Sequence, residues 1–174
     1  MKTSIKTLLI PLYLFLYVSL FTPFANGATT EKTTIGASGY PIPRFMTLAN
    51  NKTNMRTGPG REYPIDWIYR KENYPLKVVA EYGNWRKVVD VDQTTGWILR
   101  SLLSLRRSAV IIKETQELVR SPKQGDRITL IAEEDVLGTL VKCEKIWCEM
   151  EIGGFNGWIK QDGIWGVLEQ EEFD

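Results

Sequence analysis

The 174-residue chain contains no histidine, and that absence excludes more than any other feature of its composition. Histidine is the usual general base and the commonest nitrogen ligand for metals near neutral pH. Cysteine–histidine peptidases and histidine–zinc hydrolases are therefore out of reach. Two cysteines alone cannot complete a tetrahedral metal site, so neither a metal nor a cofactor is expected. A basic excess is missing too. With a formal net charge of +1, the chain has little of the phosphate-neutralising charge that drives nucleic-acid binding, and no nucleic-acid partner is expected. Apolar runs are scarce beyond residue 21, and none there is long enough to cross a bilayer. Paired carboxylates remain the one enzymatic option. The acids fall in runs such as Glu133-Glu134-Asp135 and Glu171-Glu172, which read as solvated surface. No catalytic residue is assigned, and the chain reads as a non-enzyme.

What is present begins with an export signal. Lys2 and Lys6 precede the apolar run Leu8 to Phe21, and the small residues Ala25, Gly27 and Ala28 follow it, the pattern of a signal peptide over residues 1–27. Pro11 and Pro23 bracket a run shorter than the roughly 20 residues of a membrane-spanning helix. Cleavage after Gly27 is the reading, with an uncleaved anchor as the alternative. Removing Lys2 and Lys6 from 22 basic residues leaves 20 against 21 acidic ones, a net charge of −1. The expected protein is exported, periplasmic or secreted, with no integral membrane span after cleavage.

Residues 28–43, "ATTEKTTIGASGYPIP", carry Thr, Ser, Gly and Pro without a periodic apolar pattern, and read as a linker. From Arg44 the chain becomes a series of short runs rich in Val, Ile, Trp and Tyr, and these occur twice. "NWRKVVDVDQTTGWILR" (84–100) and "IWCEMEIGGFNGWIK" (146–160) share a Trp, alternating apolar residues, a Gly-containing turn and Gly-Trp-Ile at an offset near 61 to 62. "NMR" (54–56) matches "LVR" (118–120) at an offset of 64, each before a turn with Pro and Gly. The fold class expected is all-β, as two tandem small barrels over 44–106 and 107–168 with an acidic tail over 169–174. Domains of about 60 residues bury only about 60% of their unfolded surface, so large aromatics gain weight in each core. Trp85, Trp97, Trp147 and Trp158 recur at equivalent places and are expected in the core or at its edge. Tyr63 and Trp67 lack counterparts in the second copy and are the better candidates for an exposed role.

Cys143 and Cys148 flank "EKIW". If those residues turn a hairpin, the thiols face one another and a structural disulfide follows in an oxidising compartment. A redox-active pair is the alternative, but the Cys-x-x-Cys spacing at a helix start is not there. The first copy has Glu81 and Arg86 at the corresponding places, where an ion pair can stand in for the bridge. The turn Gly58-Pro59-Gly60 cannot be a phosphate cradle, because Pro59 has no N–H, nor a nucleophile elbow, because it has no Ser or Cys between glycines. Its glycines permit positive φ and a sharp reversal. The turn projects Arg61, Tyr63 and Pro64 toward Trp67, with Tyr69 beyond. This aromatic set is expected either to stack on sugar rings or extended peptides, or to close one end of the barrel.

The first copy resembles the bacterial SH3-like domain family. The marks are Pro43-Arg44-Phe45, Asn54-x-Arg56-x-Gly58-Pro59-Gly60, Tyr63-Pro64, Trp67, Pro75, Trp85-Arg86, Asp90, Gly96-Trp97 and Ser101-Leu102-Leu103, in order. The second copy is similar in "LVRSP", "WCEM" and "GWI", but lacks the full Asn-x-Arg-x-Gly-Pro-Gly mark. The resemblance implies small β-barrels with a non-catalytic role in binding or assembly, and some relatives of this fold attach cell-wall enzymes to peptidoglycan. The partner expected is peptidoglycan or an envelope protein. Asn54 is expected to bond backbone in the loop, and Arg56 to pair with an acid such as Asp90.

Overall fold

A computed structural model describes residues 32–174, so the signal peptide over 1–27 lies outside the described residues. The described chain is built from strands and short 3₁₀ turns. A two-stranded hairpin comes first, β1 (Thr34–Ile35) and β2 (Pro41–Ile42). The first barrel follows as β3 (Arg44–Leu48), β4 (Thr53–Arg56), β5 (Ile65–Tyr69), β6 (Pro75–Tyr82), β7 (Trp85–Val89), β8 (Thr95–Leu99) and β9 (Leu103–Ser104). The second runs as β10 (Ser108–Ile111), β11 (Thr115–Val119), β12 (Ile128–Glu133), β13 (Leu137–Glu144), β14 (Trp147–Ile152), β15 (Phe155–Lys160) and β16 (Ile164–Trp165). The strand orders are β5-β4-β8-β7-β6-β3-β9 and β12-β11-β15-β14-β13-β10-β16. Element for element they are the same topology.

Period-two alternation builds each core. In the first barrel Leu76, Val78, Val88 and Ile98 point inward and meet Leu48 and Met55. The second gathers Ile111, Leu118, Leu140, Met150 and Ile159. Volumes trade between the copies. Met46 pairs with Leu76 in one, and Ala109 pairs with Gly138 in the other. The space so freed is taken by Met150, whose Cε lies 2.5 Å from where a Cβ on Gly138 would sit. Interiors are close-packed, so a small residue on one strand fixes a large one beside it.

The recurring tryptophans divide between core and surface. Trp158 is buried, whereas Trp85, Trp97 and Trp147 are half-buried. Their strands turn Arg86, Val88 and Ile98 inward, which leaves the indoles on the outer face beside Lys87 and Leu99. They pack at the core's edge.

The register also corrects the "NMR"/"LVR" alignment. Arg56 lies opposite Trp97, and Val119 lies opposite the equivalent Trp158. Val119, not Arg120, is therefore the counterpart of Arg56, and Arg120 corresponds to Thr57.

Both ends of the described chain are tied down. The described part of the expected linker, residues 32–43, contains the β1–β2 hairpin, which closes over Glu81: Ser38 donates from its amide (2.8 Å) and its hydroxyl (2.6 Å) to that carboxylate. At the other end, Phe173 and Cys143 exchange backbone hydrogen bonds of 2.9 and 3.1 Å. Arg107 grips Glu171 through two hydrogen bonds of 2.7 and 2.9 Å. The barrels meet where Trp165 packs edge-on against Phe45, ring centroids 5.1 Å apart, and where Ser108 Oγ donates to the Asn73 carbonyl.

Candidate functional site: the glycine-rich turn and the groove beside it

The turn after β4 is cinched from below. Thr57 N donates to the Pro64 carbonyl over 3.1 Å, Gly60 N to the Gly58 carbonyl over 3.0 Å, and Arg56 Nη1 to the Tyr63 carbonyl over 2.6 Å. Arg56 thus fixes the turn rather than pairing with Asp90. That acid accepts instead from the Tyr69 hydroxyl (2.9 Å) and the Thr94 amide (2.8 Å). Asn54 makes no side-chain hydrogen bond to a described residue; it faces outward into a groove. Gly58 and Gly60 do not take the positive φ that their flexibility allows. Gly58 is required because the Tyr63 ring lies on it, within 2.3 Å of a would-be Cβ.

The five residues expected to form one ligand surface separate into three environments. Tyr63 (41% exposed) and Trp67 (55%) are open to solvent with Pro64 between them. Ile65 and Ile68 extend this apolar strip along β5, an edge strand that among the described residues pairs only with β4. Tyr63 and Trp67 make no ring contact with one another. Tyr69, expected on the same surface, is 7% exposed and belongs to the core. It sits 5.9 Å from the stacked Tyr74 ring and 6.5 Å from Trp67, so Trp67 is backed by a fixed aromatic row. Burial first, then the bond to Asp90, drives the Tyr69 hydroxyl's pKa far up, and it stays a neutral donor. Tyr74 is pushed up to about 12, chiefly by burial.

Arg61 goes elsewhere. It lines a groove of about 200 Å³ with Asn54, Arg56, Trp85 and Leu99, on the outer face that β4, β7 and β8 share. Sequence reasoning treated Asn54, Arg56 and Trp85 as structural. The alternation that turns Thr53 and Met55 inward already turns Asn54 and Arg56 out. Another cavity, about 570 Å³ and lined by Ile146, Lys160, Val167 and Leu168 among others, had no signal in the sequence. Among the described residues no three His, Cys, Asp or Glu side chains gather in a way that could hold a metal ion.

The family model of the bacterial SH3 domain matches the chain twice, over residues 49–104 and 113–166. The chain belongs to the bacterial SH3 domain family. Its two SH3 domains are similar in structure to NlpC2 and NlpC1 from Trichomonas vaginalis. Each is 12% identical with a TM-score of 0.34; the likeness covers 74% and 78% of this chain, respectively, and 49% of each of those chains. An NlpC/P60 family protein from Bacillus cereus is also 12% identical, with a TM-score of 0.32, over 75% of this chain and 58% of that one. At that identity and TM-score these likenesses carry no functional weight, and the chain spans about half the length of the first two. No curated protein matches the chain.

In the second SH3 domain, Cys143 and Cys148 are cross-strand partners and form a disulfide. The pair replaces Glu81 and Arg86, which face each other at the same register in the first. There Glu81, its side chain 2% exposed, lies 2.8 Å from Arg44 and 3.2 Å from Arg86. Burial alone would raise its pKa. The two Ser38 hydrogen bonds and the two guanidiniums outweigh that and hold it down to about 2.

Proposed function

We propose that this is an exported, non-catalytic binding module that recognises a cell-envelope polymer, peptidoglycan first among them, through the Tyr63–Trp67 side of the first SH3 domain. The observation that carries this reading is the pairing of solvent-open Tyr63 and Trp67 with rigid support beneath each. A flat amphipathic ring held in place is suited to stacking on sugar, because little side-chain entropy is lost on binding. Membership of a binding-domain family supports it, as does the lack of histidine. The disulfide suits an oxidising compartment, periplasmic or extracellular. The ligand set proposed is Tyr63, Pro64 and Trp67, with Arg61 at its border and Tyr69 as support.

Co-sedimentation with purified sacculi in moderate salt tests the reading. The wild type is expected in the pellet and a Tyr63→Ala/Trp67→Ala variant in the supernatant; equal recovery of both in the supernatant sinks it. A second reading, an envelope protein that docks an extended or Pro-rich peptide, draws support from β5 as an edge strand with free backbone groups. A stoichiometric protein captured from envelope extract, without sacculus binding, would favour it.

A further inference from the structure

The groove beside the turn occurs twice. In the first SH3 domain it is lined by Asn54, Arg56, Arg61, Trp85 and Leu99. In the second, a groove of about 480 Å³ is lined by Glu117, Val119, Gln124, Trp147 and Lys160 among others. The pairing register makes four of these positions equivalent: Arg56 and Val119 oppose Trp97 and Trp158, Trp85 and Trp147 oppose Leu99 and Lys160, and Asn54 and Glu117 lie two residues before Arg56 and Val119; Arg61 and Gln124 come from the turns that follow. One architecture therefore carries two chemistries.

The second groove satisfies itself. Lys160 Nζ lies 5.7 Å from the centre of the Trp147 ring and donates to Gln124 Oε1 over 3.4 Å, and the acid Glu117 lines the same groove. The first groove is left unsatisfied. At the position of Lys160 stands Leu99, and no cation of the described chain lies over Trp85. Arg56 and Arg61 make no ion pair with any described residue, so two guanidiniums border the indole with no acid between them. At about 200 Å³ the groove is smaller than the roughly 300–1,000 Å³ of a site for a drug-sized ligand, which suits one ring-sized group. Planar guanidiniums match a carboxylate, and an indole face matches the apolar side of a sugar.

We propose that this first-domain groove, between Arg56, Arg61 and Trp85, holds a carboxylate-bearing sugar of an anionic envelope glycan. The choice of a sugar rests on the polymer reading above; the choice of an anion rests on two arginines that have no acid partner among the described residues, Arg56 spending one Nη1 hydrogen bond on the Tyr63 carbonyl. The test is an NMR titration of the full described chain, following the Trp85 indole N–H, with N-acetylmuramic acid against N-acetylglucosamine. The two share one ring and differ by a carboxylate-bearing ether. The carboxylated sugar is expected to bind about fivefold more tightly, the scale of an exposed charge pair. Leu99→Glu, which sets a carboxylate beside the two arginines, and Arg61→Glu at an exposed position are each expected to remove that advantage while leaving the Trp147 signal unmoved. Equal response to the two sugars, no response at Trp85, or parent-like binding by both variants would overturn the proposal. Muramic acid binding that persists while sacculus binding fails supports the groove and sinks only the Tyr63–Trp67 reading.

Discussion

The two SH3 domains solve one structural problem with opposite chemistry. At the register where β6 meets β7, and β13 meets β14, one joins Glu81 to Arg86 and the other joins Cys143 to Cys148. The consequence reaches the chain ends. In the first domain the strand supplies an acid, so Arg44 pairs with Glu81 and the preceding hairpin closes over the pair through Ser38. In the second the strand supplies a cysteine instead. The equivalent Arg107 finds its acid, Glu171, on the C-terminal tail, and the tail pairs with Cys143. A buried ion cluster depends on every charged partner being present, whereas a disulfide depends on its two cysteines staying oxidised. The first domain should therefore be sensitive to charge and the second to reductant.

Breaking the ionic cluster should have the largest effect. Glu81→Ala leaves Arg44 and Arg86 buried without their carboxylate and is expected to cost about 3–5 kcal/mol, read by urea denaturation. Hydrogen exchange should place the loss in the first domain. Stability matching the parent would mean that the cluster contributes nothing. Acid addresses the same group. Glu81 is held near 2 against an ordinary 4.5, so its contribution is fully present above about 4.5 and falls away as pH drops through 2. First-domain amides should lose protection in that window before second-domain ones.

Reducing the disulfide, or Cys143→Ser/Cys148→Ser, should cost on the order of 2 kcal/mol. The loss should appear at the Phe173 amide, which bonds to Cys143, and leave the first domain unchanged. Exchange that quickens equally in both domains would contradict the division drawn here. The sharpest comparison transplants the bridge: Glu81→Cys/Arg86→Cys should oxidise to a disulfide, checked by mass under non-reducing conditions, because the two pairs share one register.

The smallest effect belongs to the tryptophans. Trp97→Ala is expected to cost about 1–2 kcal/mol, since only part of its surface leaves water. Its fully buried neighbour Ile98 should cost about 2–5 kcal/mol on the same change. Equal losses would return Trp97 to the core.

Much of this was legible in the chain. Short β-branched and aromatic runs, repeated near 62 residues, gave two all-β units, and the spacing of Cys143 and Cys148 gave the hairpin bridge. The candidate site was half legible. Tyr63 and Trp67 stood out because the second copy lacks them, and they are exposed. Tyr69 was misplaced because it shares a strand face with Trp67, yet lies deeper, where Asp90 satisfies its hydroxyl. The tryptophans were placed only as core or core edge, for a related reason. In "GWIL" alternate residues must face opposite ways, but nothing local says whether Trp or Ile faces in.

By itself the sequence determined the class of fold, its duplication and the lack of histidine, because period, turn residues and missing residue types are local properties. Tertiary structure decided which face each strand turns inward, which arginine meets which acid, and that Asn54, Arg56, Arg61 and Trp85 share a groove. Those depend on register between strands up to about 40 residues apart in the chain. Shifting one strand by a single residue would turn every side chain on it to the opposite face.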